Sequence, residues 1–197
     1  MNSIWYATNE TTFQQLSWRA GDTEWKKQDT WTDKNTHAGV GCYSWSNRSA
    51  SVTYTMMVNL MNTVEVWWKD TNTTLPTNKS HPINEWTKSP VSIPGVHPST
   101  SIGYTNYLYA QMNATNEIVG YNITWAAEKS SLQDHFGFVR NPGIPGTHLS
   151  VTALHEDSGG DSLLVFYQVA GDDITQFNRD LVGGQLTTAG PLDIPDD

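Results

Sequence analysis

One carboxylate in the middle of the chain stands among tryptophans. Glu65 is followed closely by Trp67 and Trp68, and Trp86 and Trp25 are the further tryptophans that we assign to the same group. A carboxylate can accept hydrogen bonds from the hydroxyl groups of an uncharged sugar, and an indole ring can pack on the apolar face of the sugar ring. These residues therefore predict a ligand-binding site for a neutral saccharide. The alternative is that the tryptophans fill space inside the fold and that Glu65 is solvated at the end of a strand.

No catalytic residue stands out, and we do not expect an enzyme. A glycosidase needs two carboxyl groups about 5–10 Å apart across one bond, and a pair such as Glu65 and Asp70 meets only the requirement of residue type. A glycosidase-like enzyme is therefore the weakest of the functional alternatives. The histidines lack metal-ligand spacing, and the acidic, glycine-rich segment 156–161 is more typical of a solvated turn than of a calcium loop. We expect neither a metal ion nor a cofactor.

The composition excludes several classes of partner. The 197 residues carry a formal net charge of −9, whereas binding to nucleic acid needs a basic surface. No run of Lys or Arg is present to hold an anionic membrane, and no apolar stretch approaches the ~18 residues of a membrane-spanning helix. Cys42 is the only cysteine, which excludes an intrachain disulfide. Because it lies in an apolar stretch, it is expected to be a buried, inert thiol.

Short strands and polar turns make up the whole sequence. Gly, Pro, Asn and Thr interrupt nearly every window long enough for a helix, and β-branched and aromatic segments recur instead. A pattern of an apolar residue, any residue and a tyrosine repeats about every 50 residues and ends at Tyr6, Tyr54, Tyr109 and Tyr167. These periodic tyrosines are predicted to be core residues. A second strand follows each of them and starts at Phe13, Val64, Ile118 or Ile174.

Each repeat has the size of one β-propeller blade. Ile-Pro sequences close the later units, which indicates a unit of four short strands in about 50 residues. The segment 163–167 is apolar at every position, which predicts a strand buried between two neighbouring blades. We therefore predict an all-β fold, a β-propeller of about four blades of four antiparallel strands, in a single repeat domain. The approximate blades are 1–38, 39–98, 99–147 and 148–197.

The first blade is predicted to be incomplete. Its repeat begins at Ile4 with the strand that stands second in the other units, so that the innermost strand is missing. An open propeller edge would expose unpaired backbone groups. We therefore expect either a missing upstream segment or a second copy of the chain, in a homo-oligomer, to complete the propeller.

The last repeat resembles a blade of the fungal fucose-specific lectin family. The matching features are VFYQ, the Gly-Asp-Asp turn, the Ile-x-x-Phe-x-x-Asp strand and the closing Gly-x-Leu-x-Ile-Pro. The resemblance implies a six-bladed propeller with sugar sites between blades, where an Arg on the second strand and a Glu on the third bind the sugar. The implied Arg positions are occupied by Ser3, Ser51, Asn106 and Leu164. The implied Glu positions fall on Gln15, Gly120 and Gln176, and Glu65 matches one residue out of register.

The resemblance implies a lectin-like, carbohydrate-binding propeller with degenerate sites for fucose or another neutral saccharide, including the glycans of glycoproteins. The alternative, which the missing Arg favours, is a structural or protein-interaction propeller that has lost sugar binding. The amino terminus has no signal-peptide pattern. The low charged fraction of 16% and the sequences that could carry glycans still favour a secreted or extracellular protein. These glycosylation sequences stand at Asn9, Asn47, Asn72, Asn78, Asn113 and Asn122.

Overall fold

The computed structural model describes residues 2–46, 51–70, 85–104, 107–137, 142–154, 161–169, 174–180 and 186–192. Within these ranges the chain forms β-strands joined by turns, and the one helical piece is the 3-10 turn Ala127–Lys129. No helix of the described part is long and apolar enough to cross a membrane. The all-β prediction is therefore confirmed.

The strands form four antiparallel sheets, each built from strands that follow one another in the chain. Sheet 1 contains β1 (Asn2–Asn9), β2 (Thr12–Trp18) and β3 (Lys26–Trp31). Sheet 2 contains β4 (Gly41–Ser46), β5 (Ser51–Val58), β6 (Thr63–Asp70) and β7 (Thr87–Pro94). Sheet 3 contains β8 (Gly103–Tyr104), β9 (Tyr107–Gln111), β10 (Ile118–Thr124) and β11 (Ser131–Gly137). Sheet 4 contains β12 (Leu149–Leu154), β13 (Ser162–Gln168), β14 (Ile174–Asp180) and β15 (Leu186–Pro191).

Sheet 1 begins with a strand that corresponds to the second strand of the other sheets. β1 pairs with β2 in the way that β5 pairs with β6, and no described strand lies along the other edge of β1. The prediction of an incomplete first blade is thus confirmed for the part of the chain that the structure describes.

The sheets stack face to face, and apolar side chains fill the spaces between neighbouring sheets. Phe13, Trp31 and Met57 are buried between sheets 1 and 2. A larger cluster that includes Trp68 lies between sheets 2 and 3, and another around Tyr109 lies between sheets 3 and 4. Burial of such surface contributes about 25 cal/mol per Å², so the stack of blades is stabilised mainly through these interfaces.

The strand β13 contains the apolar segment 163–167, which was predicted to be buried between two neighbouring blades. Leu163, Val165 and Tyr167 are only 0, 0 and 1% exposed and pack against sheet 3. Leu164 and Phe166 lie on the opposite face, because successive residues of a strand alternate between faces, and they are half-buried. Burial is therefore confirmed for one face, and the other face is the outer surface of the described stack.

Backbone pairing gives the true equivalence of the repeats. The second strands were predicted to start at Phe13, Val64, Ile118 and Ile174. In the structure these four residues pair with Ala7, Val58, Gln111 and Gln168, respectively. The equivalent positions directly before these partners are Tyr6, Met57, Ala110 and Tyr167. Tyr54 and Tyr109 stand an odd number of residues from those positions, so they face the other side of their sheets. The assumed equivalence of the four tyrosines is therefore wrong for two of them.

Three of the repeat tyrosines are nevertheless core residues. Tyr54, Tyr109 and Tyr167 are at most 2% exposed, so their predicted burial is confirmed. Tyr6 is 39% exposed, which contradicts the prediction. The physical reason is that Tyr6 lies on the outer face of sheet 1, where no described sheet packs against it.

Candidate functional site

A cavity of about 180 Å³ lies between sheets 1 and 2. Both sheets contribute short polar side chains and tryptophans to its wall. The lining residues are Ser3, Trp5, Gln15, Cys42, Ser44, Thr53, Lys69 and Trp86. Apart from Trp86, which directly precedes β7, they lie on β1, β2, β4, β5 and β6. The cavity is therefore built on strands, which hold their side chains more firmly than loops do.

Hydrogen bonds fix the polar wall of the cavity. The Trp86 indole Nε1 donates to Gln15 Oε1 at 3.1 Å, and the Gln15 amide Nε2 donates to Ser3 Oγ at 3.1 Å. On the facing sheet, the hydroxyl groups of Ser44 and Thr53 are 3.1 Å apart. The cavity thus presents an ordered amide and several hydroxyl groups, which can both donate and accept hydrogen bonds.

Trp5 and Trp86 form the apolar wall of the cavity, and both pack against Trp31 of β3. The ring of Trp86 lies 5.5 Å from that of Trp31 and 6.2 Å from that of Trp5, both in edge-on geometry. The Lys69 ammonium group lies 5.9 Å from the Trp86 ring centroid and 3.6 Å from an Asp29 carboxylate oxygen. Contacts of this kind hold the indole rings in one orientation.

Cys42 contributes a thiol group to the wall of the cavity. The residue is exposed on β4, so the predicted buried position is wrong. The cause is its place on the edge strand that borders the cavity. Desolvation of the sulfur by its protein neighbours still raises the pKa of the Cys42 thiol to about 11, against the smaller opposing effect of its contact with Thr55. The thiol therefore stays protonated at neutral pH and is a poor nucleophile.

A second, more open cleft adjoins the cavity. It has a volume of about 520 Å³ and shares Trp86 with the cavity. Its wall comes from the end of β3, the loop that follows it, one residue of β6, and the two residues directly before β7. The lining residues are Asp29, Thr30, Trp31, Thr32, Asp33, Lys34, Trp67, Glu85 and Trp86.

Glu65 lies beneath this cleft and is bound by two lysines. Its carboxylate is 2.9 Å from Lys34 Nζ and 2.7 Å from Lys88 Nζ, and it accepts a hydrogen bond from Asn59 Nδ2 at 3.1 Å. Glu65 is only 6% exposed, so the alternative of a solvated glutamate is excluded. Desolvation acts to raise its pKa, but the bonds from Lys88, Lys34 and Asn59 outweigh it and lower the pKa to about 2.

The tryptophans predicted together with Glu65 lie in different places. Trp86 separates the cavity from the cleft, and Trp67 lines the cleft with the Lys34 ammonium group 5.5 Å from its ring centroid. Trp68 is 0% exposed in the core between sheets 2 and 3, out of reach of a ligand. Trp25 is 44% exposed directly before β3 and lines neither of the two spaces.

Because the observed strand register differs from the one that the tyrosine repeat suggested, different residues become equivalent to the Arg and Glu that the family resemblance implies. The implied Arg positions, three residues before the true equivalents, are Ser3, Tyr54, Tyr107 and Leu164. Tyr54 and Tyr107 thus replace Ser51 and Asn106 as implied Arg positions, and Asn106 lies outside the described residues. The implied Glu positions are Gln15, Val66, Gly120 and Gln176, so Glu65 faces the other side of its sheet. Ser3 and Gln15, the positions of the first unit at which the resemblance implies Arg and Glu, are hydrogen-bonded to each other and both line the cavity.

Between sheets 2 and 3, the chain's own aromatic rings fill the corresponding position. Tyr54 packs against Trp125 with ring centroids 4.6 Å apart, and Tyr43 packs against Tyr104 at the same distance. The Tyr54 hydroxyl group accepts a hydrogen bond from the Ala127 backbone N–H at 2.9 Å. A ring that is held in this way leaves no room for a sugar at Tyr54.

Between sheets 3 and 4, Phe136 occupies the corresponding space. A Cβ atom on Gly120 would lie 2.5 Å from Phe136 Cζ, so only glycine fits beneath this ring. The Arg179 guanidinium group lies 3.7 Å from the Phe136 centroid and 5.0 Å from that of Tyr107. Among the described residues, side chains thus occupy this position between sheets 2 and 3 and between sheets 3 and 4, whereas a cavity lies at it between sheets 1 and 2.

Several lining residues were not predicted to be site residues. Ser3 and Gln15 were noted only as replacements of Arg and Glu, and their adjacency on paired strands was the signal that could have identified them. Ser44, Thr53 and Lys69 carried no local signal, because their proximity comes from the packing of sheets 1 and 2.

The predicted glycosylation positions differ in accessibility. Asn9 and Asn113 are exposed at strand ends or turns, whereas Asn122 is half-buried in β10. Asn47, Asn72 and Asn78 lie outside the described residues.

Comparison with known proteins identifies similar folds only at the level of structure. No protein-family model and no curated protein matches the sequence. The SapL1 lectin, solved in complex with α-methyl fucoside, is 16% identical, with 94% of this chain and 58% of that chain covered and a TM-score of 0.65. The Aleuria aurantia lectin, a fungal six-bladed β-propeller, is 13% identical over 98% of this chain and 57% of its own, with a TM-score of 0.63. AofleA from Arthrobotrys oligospora is 11% identical over 95% and 53%, with a TM-score of 0.65.

These similarities establish the fold. The chain has the β-propeller architecture of the fungal fucose-specific lectins, and it spans a little over half of the length of the three structures. The prediction of a partial β-propeller is thereby confirmed.

Proposed function

We propose that this chain is a carbohydrate-binding, non-enzymatic β-propeller that holds a saccharide in the cavity between sheets 1 and 2. One observation supports the proposal: an open cavity is lined by Ser3 and Gln15, where the resemblance implies Arg and Glu, whereas side chains occupy the corresponding positions at the two other interfaces. Secretion of the protein, and glycans on the exposed Asn9 and Asn113, belong to the same proposal.

The chemistry of the cavity suits one sugar ring. Gln15, Ser3, Ser44 and Thr53 can exchange hydrogen bonds with hydroxyl groups, and the Trp86 ring offers an apolar surface for the C–H face of a pyranose. The volume of 180 Å³ is below the ~300–1,000 Å³ of sites for drug-sized ligands. A single monosaccharide unit therefore matches the cavity.

The affinity is expected to be low. Ser3 and Gln15 stand where the resembling family has Arg and Glu, so hydrogen bonds to charged groups are replaced by neutral ones. Hydrogen bonds to charged groups contribute about 1.5–3 kcal/mol each and neutral ones about 0.5–1.5 kcal/mol, so each replacement corresponds to a roughly five- to tenfold weaker affinity. Binding of single sugars in the millimolar range is the expected result.

A propeller without sugar binding is the second candidate. This candidate is favoured because none of the implied Arg positions, Ser3, Tyr54, Tyr107 and Leu164, holds an arginine. It is also favoured because side chains fill the corresponding positions between sheets 2 and 3 and between sheets 3 and 4. In this case the protein would have a structural or protein-interaction role.

Titration with methyl α-L-fucoside, galactose and mannose separates the two candidates. Tryptophan fluorescence reports binding, because Trp86 and Trp5 line the cavity. We expect saturable binding of at least one sugar, and a several-fold loss of affinity in Gln15→Ala and in Ser3→Ala. Gln133→Ala, a change of an exposed glutamine in β11, is the matched control and should bind as the wild type does. No response to any of the three sugars would support the structural role.

A further inference from the structure

The cleft beside the cavity is a second space with the surface chemistry of a sugar site. Trp31, Trp67 and Trp86 give it aromatic surface, and Asp33 and Glu85 give it exposed carboxylates. Indole rings pack on the C–H faces of sugars, and carboxylates accept hydrogen bonds from hydroxyl groups. Its volume of 520 Å³ is about three times that of the cavity.

The two spaces adjoin each other. Trp86 lines both of them. Lys69, on the cavity side, pairs with Asp29, on the cleft side, at 3.6 Å, and their side chains are 22% and 44% exposed. A ligand that bridges the two spaces would thus pass Trp86 and this exposed ion pair.

The charges of the cleft favour an uncharged occupant. Lys34 is the cation in its wall, and the buried Glu65 already neutralises it at 2.9 Å. The carboxylates of Asp29, Asp33 and Glu85 line the same space and would repel an acidic sugar.

We infer that the cleft is a second subsite, which binds the next unit of an uncharged oligosaccharide whose first unit occupies the cavity. The inference rests on the proposed function of the cavity.

The test compares disaccharides with their own terminal monosaccharides by isothermal titration calorimetry. The pairs are methyl α-L-fucoside with Fucα1-6GlcNAc, galactose with lactose, and mannose with α-mannobiose. Because the second ring gains the aromatic surface of the cleft, we expect at least one disaccharide to bind about tenfold more tightly than its monosaccharide.

Two variants of cleft residues test whether the cleft is where the disaccharide gains its additional affinity. In Trp67→Ala the ratio of the two affinities should fall towards one, and in Glu85→Gln, at an exposed position, it should fall in part, because a hydrogen bond to a charged group is replaced by a neutral one. Glu85→Gln keeps the test valid if loss of the Trp67 ring unfolds the protein. Glu10→Gln, an exposed substitution of the same type in the turn after β1, should keep the wild-type ratio.

The outcomes distinguish the two proposals. If monosaccharides bind and no disaccharide binds more tightly, the second subsite is refuted while the proposed function stands. A gain that persists in both cleft variants likewise refutes the cleft as its location. If no saccharide binds at all, the proposed function fails, and the second subsite fails with it.

Discussion

Glu65 connects three separate parts of the chain through one buried carboxylate. Its partners are Lys34 in the loop before sheet 2, Asn59 in the turn after β5, and Lys88 in β7. The Lys34 side chain is only 8% exposed, so removal of the negative charge leaves a buried cation without its counterion. We expect Glu65→Gln to lower the free energy of unfolding by about 3 kcal/mol, because a buried ion pair is broken on one side.

Urea denaturation measures this loss, and the exposed Glu10→Gln is its matched control. The control should lie within about 0.5 kcal/mol of the wild type. If Glu65→Gln behaved as the control does, the contacts to Lys34 and Lys88 would contribute nothing to stability.

The same carboxylate predicts a sensitivity to acid. The pKa of Glu65 is lowered from its ordinary 4.5 to about 2. Because the folded pKa is the lower one, its contribution to stability is fully present above pH 4.5 and is lost as the pH falls towards 2. Between about pH 6 and pH 2.5, the urea midpoint should therefore fall further in the wild type than in Glu65→Gln. Equal falls would contradict this role.

At the scale of the strands, Gly120 of β10 is what allows Phe136 of β11 to fill the interface between sheets 3 and 4. A Cβ atom there would lie 2.5 Å from Phe136 Cζ and 2.8 Å from Tyr109 Cε1. We expect Gly120→Ala to lower the free energy of unfolding by about 1–3 kcal/mol through overpacking. A double-mutant cycle in urea should show a smaller loss in a Phe136→Ala background, since the nearest clash is then absent. Strict additivity would show that the Phe136 ring does not cause the strain.

The strands were predictable where their signal is local. The expected starts of the second strands at Phe13, Val64, Ile118 and Ile174 match the observed strands to within one residue. The register of the preceding strands was not predictable from tyrosine spacing. Aromatic residues are accepted on both faces of a sheet that lies between two others, so Tyr54 could occupy the face opposite to that of Tyr167.

The grouping of tryptophans with Glu65 did not predict where each side chain lies. Trp86 and Trp67 line the two adjoining spaces and Trp68 and Trp25 line neither, and their role as ligand-binding residues stays a prediction. Lys34, a partner of the buried Glu65 carboxylate, lies in a loop without a strand pattern that follows sheet 1. Contacts across two stacked sheets leave no trace in the spacing of either strand.

At the scale of the whole molecule, the described stack has two outer faces. Ile4 and Tyr6 are 45% and 39% exposed on sheet 1, and Leu164 and Phe166 are half-buried on sheet 4. These side chains match the apolar residues that neighbouring sheets bury against each other elsewhere in the stack. Whether an upstream segment or a second copy of the chain covers these faces stays a prediction.

Buried tyrosines distributed over sheets 2, 3 and 4 predict how the stack responds to alkali. Burial raises the pKa above its ordinary value of 10 at Tyr54, Tyr104, Tyr109, Tyr121 and Tyr167. Because the folded pKa is the higher one, the associated stability is present below pH 10 and is lost as the pH rises above it. We therefore expect the part of the tyrosinate absorbance that comes from these five residues to rise together with the loss of the β-sheet circular dichroism signal.

Tyr109→Phe provides the sharpest test of this alkaline transition. The Tyr109 hydroxyl group is buried, and no hydrogen-bond partner for it exists among the described residues. Its removal should therefore leave stability at neutral pH unchanged or raised, while the midpoint of the alkaline transition moves to higher pH because one fewer buried group must ionise. Tyr6→Phe, at the exposed tyrosine of β1, is the matched control and should leave the midpoint in place. An unchanged midpoint in Tyr109→Phe would show that this hydroxyl group ionises without the opening of the interface between sheets 3 and 4.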